Sequence, residues 1–292
     1  MESLGVKAPP SAEISALIRL LSDDNETIQA AVERRLAALG QSVIPALWQA
    51  RAGASGSVRE RIDTLLSHLS ERAGKALAFL DWRSLTEGAD EVSLEEGTAL
   101  IARSNYPKLN WAPYQRRLDQ MADDLSIKLT GISDATETVS ILAEYLFHEQ
   151  DFKGPERSDY DPDDSYMNQV IDRRRGLPIS LSVLCLLIGG RIGLPLYGFG
   201  LPGHFIVALR TDGTETLFDP YHKGQQVTRE RCEQLLIQNQ YQKTDAFFEP
   251  YTNRMMLVRM LGNLRNFYQQ SQDRERLSVV TQYFNLIARE NA

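Results

Sequence analysis

Apolar residues in the first half of the chain return every three or four positions, the period of helices that bury one face. Between residues 11 and 40 they lie in "SAEISALIRLLS" and "NETIQAAVERRLAALG", where Ile28, Ala31, Val32, Leu36 and Leu39 recur at helical spacing. Ser11 is placed to cap the first of these helices and Asp23 or Asp24 the second, which should stop at Gly40. Continued through "QSVIPAL", the phrase looks like a HEAT-type unit, in which paired helices bury one face against a neighbour. One such phrase makes no solenoid, so residues 1–90 are expected to form a HEAT-like helical subdomain on a core of its own. A further helix is predicted from Val58 to Leu80, and Ser93 followed by Glu96 has capping-box spacing. Leu118, Met121, Leu125 and Leu129, then Leu142, Leu146 and Phe147, are the inward candidates of the next two helices.

The pattern changes after the polar loop "KGPERSDYDPDDS". A helix, "YMNQVIDRRRG", precedes an apolar one beginning at Pro178, and "LYGFGL", "HFIVALRT" and "ETLFDPY" then read as short antiparallel strands. "DGT" supplies a tight turn between the last two. Two amphipathic helices close the chain, with the length and spacing of a tetratricopeptide pair. The fold class expected is α+β: a helical N-terminal part, a core of residues 91–250 with a buried helix on a short antiparallel sheet, and a helical pair over 251–292.

Composition narrows the function classes. A formal net charge of -7 excludes an extensive nucleic-acid surface, which needs lysine and arginine clustered over a whole face. The longest apolar run, "LSVLCLLIGG", falls well short of the ~20 residues of a membrane span, so no membrane association is expected. With two cysteines and no apolar leader-like segment at the start, a disulfide framework is not expected and the cytoplasm is the expected compartment.

His204 opens one predicted strand and Asp219 ends the next, fifteen residues on. A hairpin can bring them side by side, where a carboxylate would orient an imidazole and stabilise its charged form, an orienter and a base. Pro178 suits a first helical turn because it lacks the N–H that would be orphaned there, and Gly176 can terminate the helix before it. A thiol at that turn would be a good nucleophile, its pKa lowered by the helix dipole.

"GLPISLS", "GHFIVAL" and "LFDPY" resemble the three motif regions of the transglutaminase-like superfamily, papain-like cysteine enzymes whose triad runs Cys, His, Asp in chain order. The resemblance implies that the nucleophile's position falls on Pro178, the histidine on His204 and the aspartate on Asp219. Together with "LFHEQDFKGP", "YDPDDSYMNQVIDRRRGLPISLS" and the closing helices, the chain is similar to bacterial SirB-type proteins and to a module within some F-box proteins, which implies this architecture without a reaction. Asp164 and Pro155 stand where that family has Asn.

Two readings follow. In the first, the chain is a binding or regulatory module for a protein or peptide, with His204 and Asp219 a remnant dyad. In the second, it is an acyl-transfer enzyme or amide hydrolase using Ser180 with His204 and Asp219; a serine there more often bonds nearby backbone. Cys185 is expected to be a buried, inert hydrophobe, and Cys232 has no base beside it. Asp159, Asp161 and Asp163 alternate as in a calcium loop, but Asp164 and Val170 stand where glycine and glutamate are required. His68, His148, His204, His222 and the cysteines show no zinc-ligand spacing, so neither metal nor cofactor is expected. Arg173 to Arg175 read as charges complementing a helix C-terminus, or as an anion or acidic-partner site.

Overall fold

A computed structural model describes residues 11–87, 91–155, 161–211, 213–238, 240–242 and 244–288. The architecture is α+β and largely helical, and the chain divides into two compact units, Met1–Asp81 with Arg103–Leu109, and Trp82–Ala102 with Asn110–Ala292.

The first unit holds α1 (Ser11–Leu20), α2 (Glu26–Ala38), α3 (Ile44–Gly53), α4 (Gly56–Leu69) and most of α5 (Glu71–Thr86). Leu21, Leu36, Val43, Leu47, Ile62 and Leu66 are fully buried in its core. Of the stripe on α2, Val32 and Leu36 face that core while Ile28 and Ala31 are exposed. The cap of α2 is Asn25, not Asp23 or Asp24: its Oδ1 accepts from Thr27 N at 2.9 Å, and Asp23 instead accepts from Asn25 N. Nor is the stretch from Val58 to Leu80 one helix. It breaks at Ser70, whose extended backbone ends α4 and whose Oγ accepts from Ala73 N to start α5.

The second unit builds on α6 (Leu94–Asn105), which begins at the predicted Ser93 cap, α7 (Ala112–Lys128) and α8 (Ala135–Ala143). Asp134 caps α8 through Glu137 N, and a π-helical turn, Glu144–Glu149, prolongs it and buries Tyr145, Leu146 and Phe147 in succession. Then come α9 (Met167–Arg173) and α10 (Pro178–Arg191). The αL residue ending α9 is Arg174, at φ 55°, and not Gly176. Gly176 is occupied otherwise: Lys153 N donates to Arg174 O, and Gly176 N donates back to Lys153 O, which ties the approach to α10 to the strand-like residue Lys153.

Strands β1 (Leu196–Leu201), β2 (His204–Thr211), β3 (Thr214–Asp219) and β4 (Gln225–Val227) form an antiparallel sheet in that order. The predicted strands are present, β4 extends them, and Asp212 of the "DGT" turn lies outside the described residues. Both faces of the sheet are covered. Phe199, Ile206, Ala208 and Leu217 pack with Cys232 and Leu236 of α11 (Arg229–Gln238), while α10 packs against β2. Finally α12 (Asn253–Gln270) and α13 (Arg274–Ala288) pack as a pair, and Trp82 Nε1 donates to Tyr283 O at 3.0 Å.

Leu181, Val183, Leu184, Cys185 and Ile188 of α10 have no exposure. Each such side chain contributes about 1.5–3 kcal/mol, so the helix behind the candidate site is a fixed wall rather than a lid.

Candidate functional site

The β1–β2 turn sets His204. Gly203, at φ 72°, reverses the chain, and Leu201 and His204 close the register. Arg259 of α12 clamps this turn from outside, donating from Nη2 to Leu201 O at 2.8 Å and to His204 O at 3.1 Å. A side chain at Gly200 would run into Tyr251 and Arg259, so the glycine is what lets the clamp approach.

At the other end of the hairpin, Asp219 leaves β3 and caps the short 3₁₀ turn Pro220–His222. Its Oδ1 accepts from Tyr221 N at 3.0 Å and His222 N at 3.2 Å. Its Oδ2 meets His204 Nε2 at 2.6 Å and His222 Nδ1 at 2.7 Å. The side chains grade outward from Asp219, 6% exposed, through His204 at 15% to His222 at 63%. Burial pushes the Asp219 carboxyl up, but the hydrogen bonds and charge of His204, then those of His222, outweigh it and hold the group below its ordinary value.

Tyr221 fixes the turn's position. Its ring lies against Gly154, where a Cβ would collide with it, and its hydroxyl donates to Pro155 O at 2.9 Å. It also meets His204 edge-on, with ring centroids 5.8 Å apart. Thus Pro155 takes part through its carbonyl, which any residue there would supply.

The head of α10 begins at Pro178. Pro178 occupies the first turn and is partly exposed, and α10 packs against both β2 and the Pro220–His222 turn. Ser182 Oγ donates to Pro178 O at 2.8 Å. Ser180 is wholly buried and its Oγ has no hydrogen-bond partner, neither the nearby backbone nor His204. The sequence-predicted His204 and Asp219 are therefore brought together, and Ser180 is not bonded to them. Cys185 is buried, which pushes its thiol far up. Burial, and then the charge of Asp219, push the Cys232 thiol up to about 11.

The arginine run and the acidic loop answer each other. Arg173 pairs with Asp161 at 2.8 Å and Asp163 at 3.4 Å, Arg175 pairs with Asp164 at 2.8 Å, and Arg174 lies over the Phe152 ring. These residues hold the loop before α9 in place; Asp159 lies outside the described residues.

Sequence reasoning missed three contributors: His222, Tyr221 and Arg259. The first two lie three and two residues after Asp219 in "DPYH", where a carboxylate capping a turn brings residue i+3 back to itself. Nothing local marks Arg259, which arrives from α12.

A cavity of about 780 Å³ lies at the opposite end of α10, lined among others by Glu91, Glu95, Asp119, Arg191, Tyr197 and Tyr251. Arg191 is held there by Glu95 and Asp119, each at 2.7 Å.

Residues 112–262 match the family model described as the transglutaminase-like superfamily. A UPF0162 protein of Xylella fastidiosa (strain 9a5c) is 32% identical over 194 residues, 64% of this chain and 69% of its own. A UPF0162 protein of Vibrio cholerae is 25% identical over 153 residues, 52% of this chain and 56% of its own. Human F-box only protein 21 is 35% identical over 127 residues, 41% of this chain and 20% of its own. No solved structure matches the chain significantly.

Proposed function

Because this chain belongs to the transglutaminase-like superfamily, we propose that it is a member without the superfamily's thiol chemistry, a non-catalytic module that binds a protein or peptide. The observation that carries this reading is Pro178. It stands at the head of α10, where the resemblance puts the nucleophilic cysteine, while His204 and Asp219 keep the hydrogen bond of a base and its orienter. His204 spends Nε2 on Asp219, so Nδ1 is the nitrogen left for a thiol, and a proline has no proton to give it. Neither native cysteine replaces it, since both are buried with raised pKa values.

Binding is supported by two further features. The human F-box relative shares 127 residues that make up only 20% of that protein, so the shared module also occurs inside a much longer chain. The cavity beyond α10 carries Glu91, Glu95 and Asp119 against Arg191, an acidic excess suited to a basic peptide side chain. The finer kinship with SirB-type proteins and the tetratricopeptide character of α12 and α13 belong to this proposal, as does a cytoplasmic setting; among the described residues no helix is long and apolar enough to cross a membrane.

The test is an acylating probe applied to the folded chain alongside amide and ester substrates. The expected result is no covalent adduct and no turnover. An adduct on the wild type that disappears in Ser180→Ala and His204→Ala would replace this reading with that of a serine acyl-transfer enzyme or hydrolase.

A further inference from the structure

Asp219 is a buried carboxylate with an unusual set of partners. Oδ1 is satisfied by two backbone N–H groups, and Oδ2 takes an imidazole nitrogen from each side, His204 Nε2 and His222 Nδ1. The side chains that meet this carboxylate among the described residues are those two histidines. Buried carboxylates are ordinarily held by a permanent cation. Two imidazoles supply no permanent charge once they are neutral.

Two imidazole nitrogens and one carboxylate oxygen converging from three directions also make the donor set of a first-row transition metal. The three ligand atoms lie within 4.8 Å of one another. We propose that His204, Asp219 and His222 form a binding site for a divalent metal of the zinc class. This goes beyond the reading of the chain as a binding module and does not depend on it.

The chemistry of the donors sets the class. Neutral imidazole suits zinc, nickel, cobalt and iron(II), whereas calcium and magnesium require mostly oxygen ligands. The backbone N–H groups of Tyr221 and His222 hold Oδ1 and aim Oδ2, the outer support by which metal-ligating carboxylates are oriented. Binding replaces the two N–H···Oδ2 hydrogen bonds. Each neutral ring moves its proton to its other nitrogen, Nδ1 in His204 and Nε2 in His222, so the exchange needs no other reactant. Zinc bonds of about 2.0–2.2 Å put tetrahedral ligands about 3.3 Å apart, so the present 2.6 and 2.7 Å separations must widen by about 0.6–0.7 Å. His222 has the room: it is 63% exposed and sits on a three-residue turn followed by Lys223 and Gly224, both at positive φ. The fourth position then faces solvent on the His222 side.

The local sequence hides the site because its ligands come from two ends of a hairpin. Residues 204, 219 and 222 have none of the tight pairings of a zinc finger: the Pro220–His222 turn joins 219 to 222, and the antiparallel pairing of β2 with β3 brings 204 to them.

The experiment uses the full chain, stripped with a chelator and titrated with zinc chloride against a colorimetric zinc indicator, then with cobalt(II) to read coordination from visible absorption. The expected result is about one equivalent bound with micromolar or tighter affinity, and cobalt bands of four- or five-coordinate intensity. His222→Ala should weaken zinc binding at least about tenfold with an unchanged circular dichroism spectrum, because the side chain is exposed; His222→Cys should restore it, and His68→Ala with His148→Ala should leave it intact. No uptake by the wild type, or uptake unaffected by His222→Ala, overturns the proposal. Metal uptake is read without any activity or partner, so its failure leaves the binding-module reading standing, and the converse holds.

Discussion

His204 Nε2 lies 2.6 Å from Asp219 Oδ2, and the same carboxylate holds the Pro220–His222 turn through its other oxygen. One side chain thus joins the end of β3, the start of β2 and the turn that follows. Asp219→Ala removes the acceptor of two backbone N–H groups and two imidazoles, and costs about 3 kcal/mol of stability, since orphaned buried donors lose about 1–3 kcal/mol each and part of this set reaches water. Urea unfolding of the two proteins measures it. A loss below about 0.5 kcal/mol, the scale of ordinary surface changes, would show that the carboxylate does not hold the turn.

Gly200 allows Tyr251 and Arg259 to close over the β1–β2 turn. Gly200→Ala forces those side chains apart and weakens the Arg259 clamp on Leu201 O and His204 O, a destabilisation of about 1–3 kcal/mol. Thermal unfolding should show a lowered midpoint, together with faster proteolysis at the turn. Gly262→Ala, in the same helix as Arg259 with open space around its Cβ position, is the control that should not destabilise.

Asp164 has no exposure, and although Arg175 bonds its Oδ1 at 2.8 Å, its Oδ2 has no partner. Burial raises its carboxyl above the ordinary value and outweighs the opposing pull of Arg175 and Arg173. A folded pKa above the unfolded one means that the stability contributed by the protonated form is present below the unfolded value and lost as pH rises through the folded one. Asp164→Asn removes the buried charge while keeping an acceptor for Arg175. It should therefore gain on the wild type as pH rises from 3.5 to 7, ending up to about 1 kcal/mol more stable. Urea titrations at both pH values test this, and a variant that loses ground with rising pH would contradict it.

Much of the fold was legible because it follows from period. Short apolar and aromatic runs between turn signals marked β1 to β3, the capping box at Ser93 marked α6, helical spacing marked α7 and the closing pair, the apolar run from Pro178 marked α10, and the His204–Asp219 pairing followed from two strands sharing a hairpin. What escaped depends on competition or distance. Ser70 interrupts an apolar stripe that continues through it, so the period hides the break between α4 and α5. Asn25 takes the cap of α2 from its acidic neighbours because Asp23 is already bonded to the Asn25 N–H. Arg174 rather than Gly176 adopts the αL conformation, since Gly176 is engaged by Lys153. The three arginines read in sequence as charges complementing a helix C-terminus or as an anion site, and the acidic partners of Arg173 and Arg175 stand about a dozen residues upstream. Arg259 is the extreme case, 55 residues from the histidine it steadies.

The most direct test of the central claim, that this is a transglutaminase-like site emptied of its nucleophile at Pro178, is to put the thiol back. The rate of iodoacetamide alkylation of Pro178→Cys is measured from pH 5 to 9, with and without His204→Ala; the buried Cys185 and Cys232 do not interfere in the folded protein. A thiol at a helix start beside an imidazole should ionise at least about one unit below the ordinary value near 8.5, and that shift should shrink when His204 is removed. A thiol with an ordinary pKa, indifferent to His204, would show that Pro178 does not stand in the nucleophile's place.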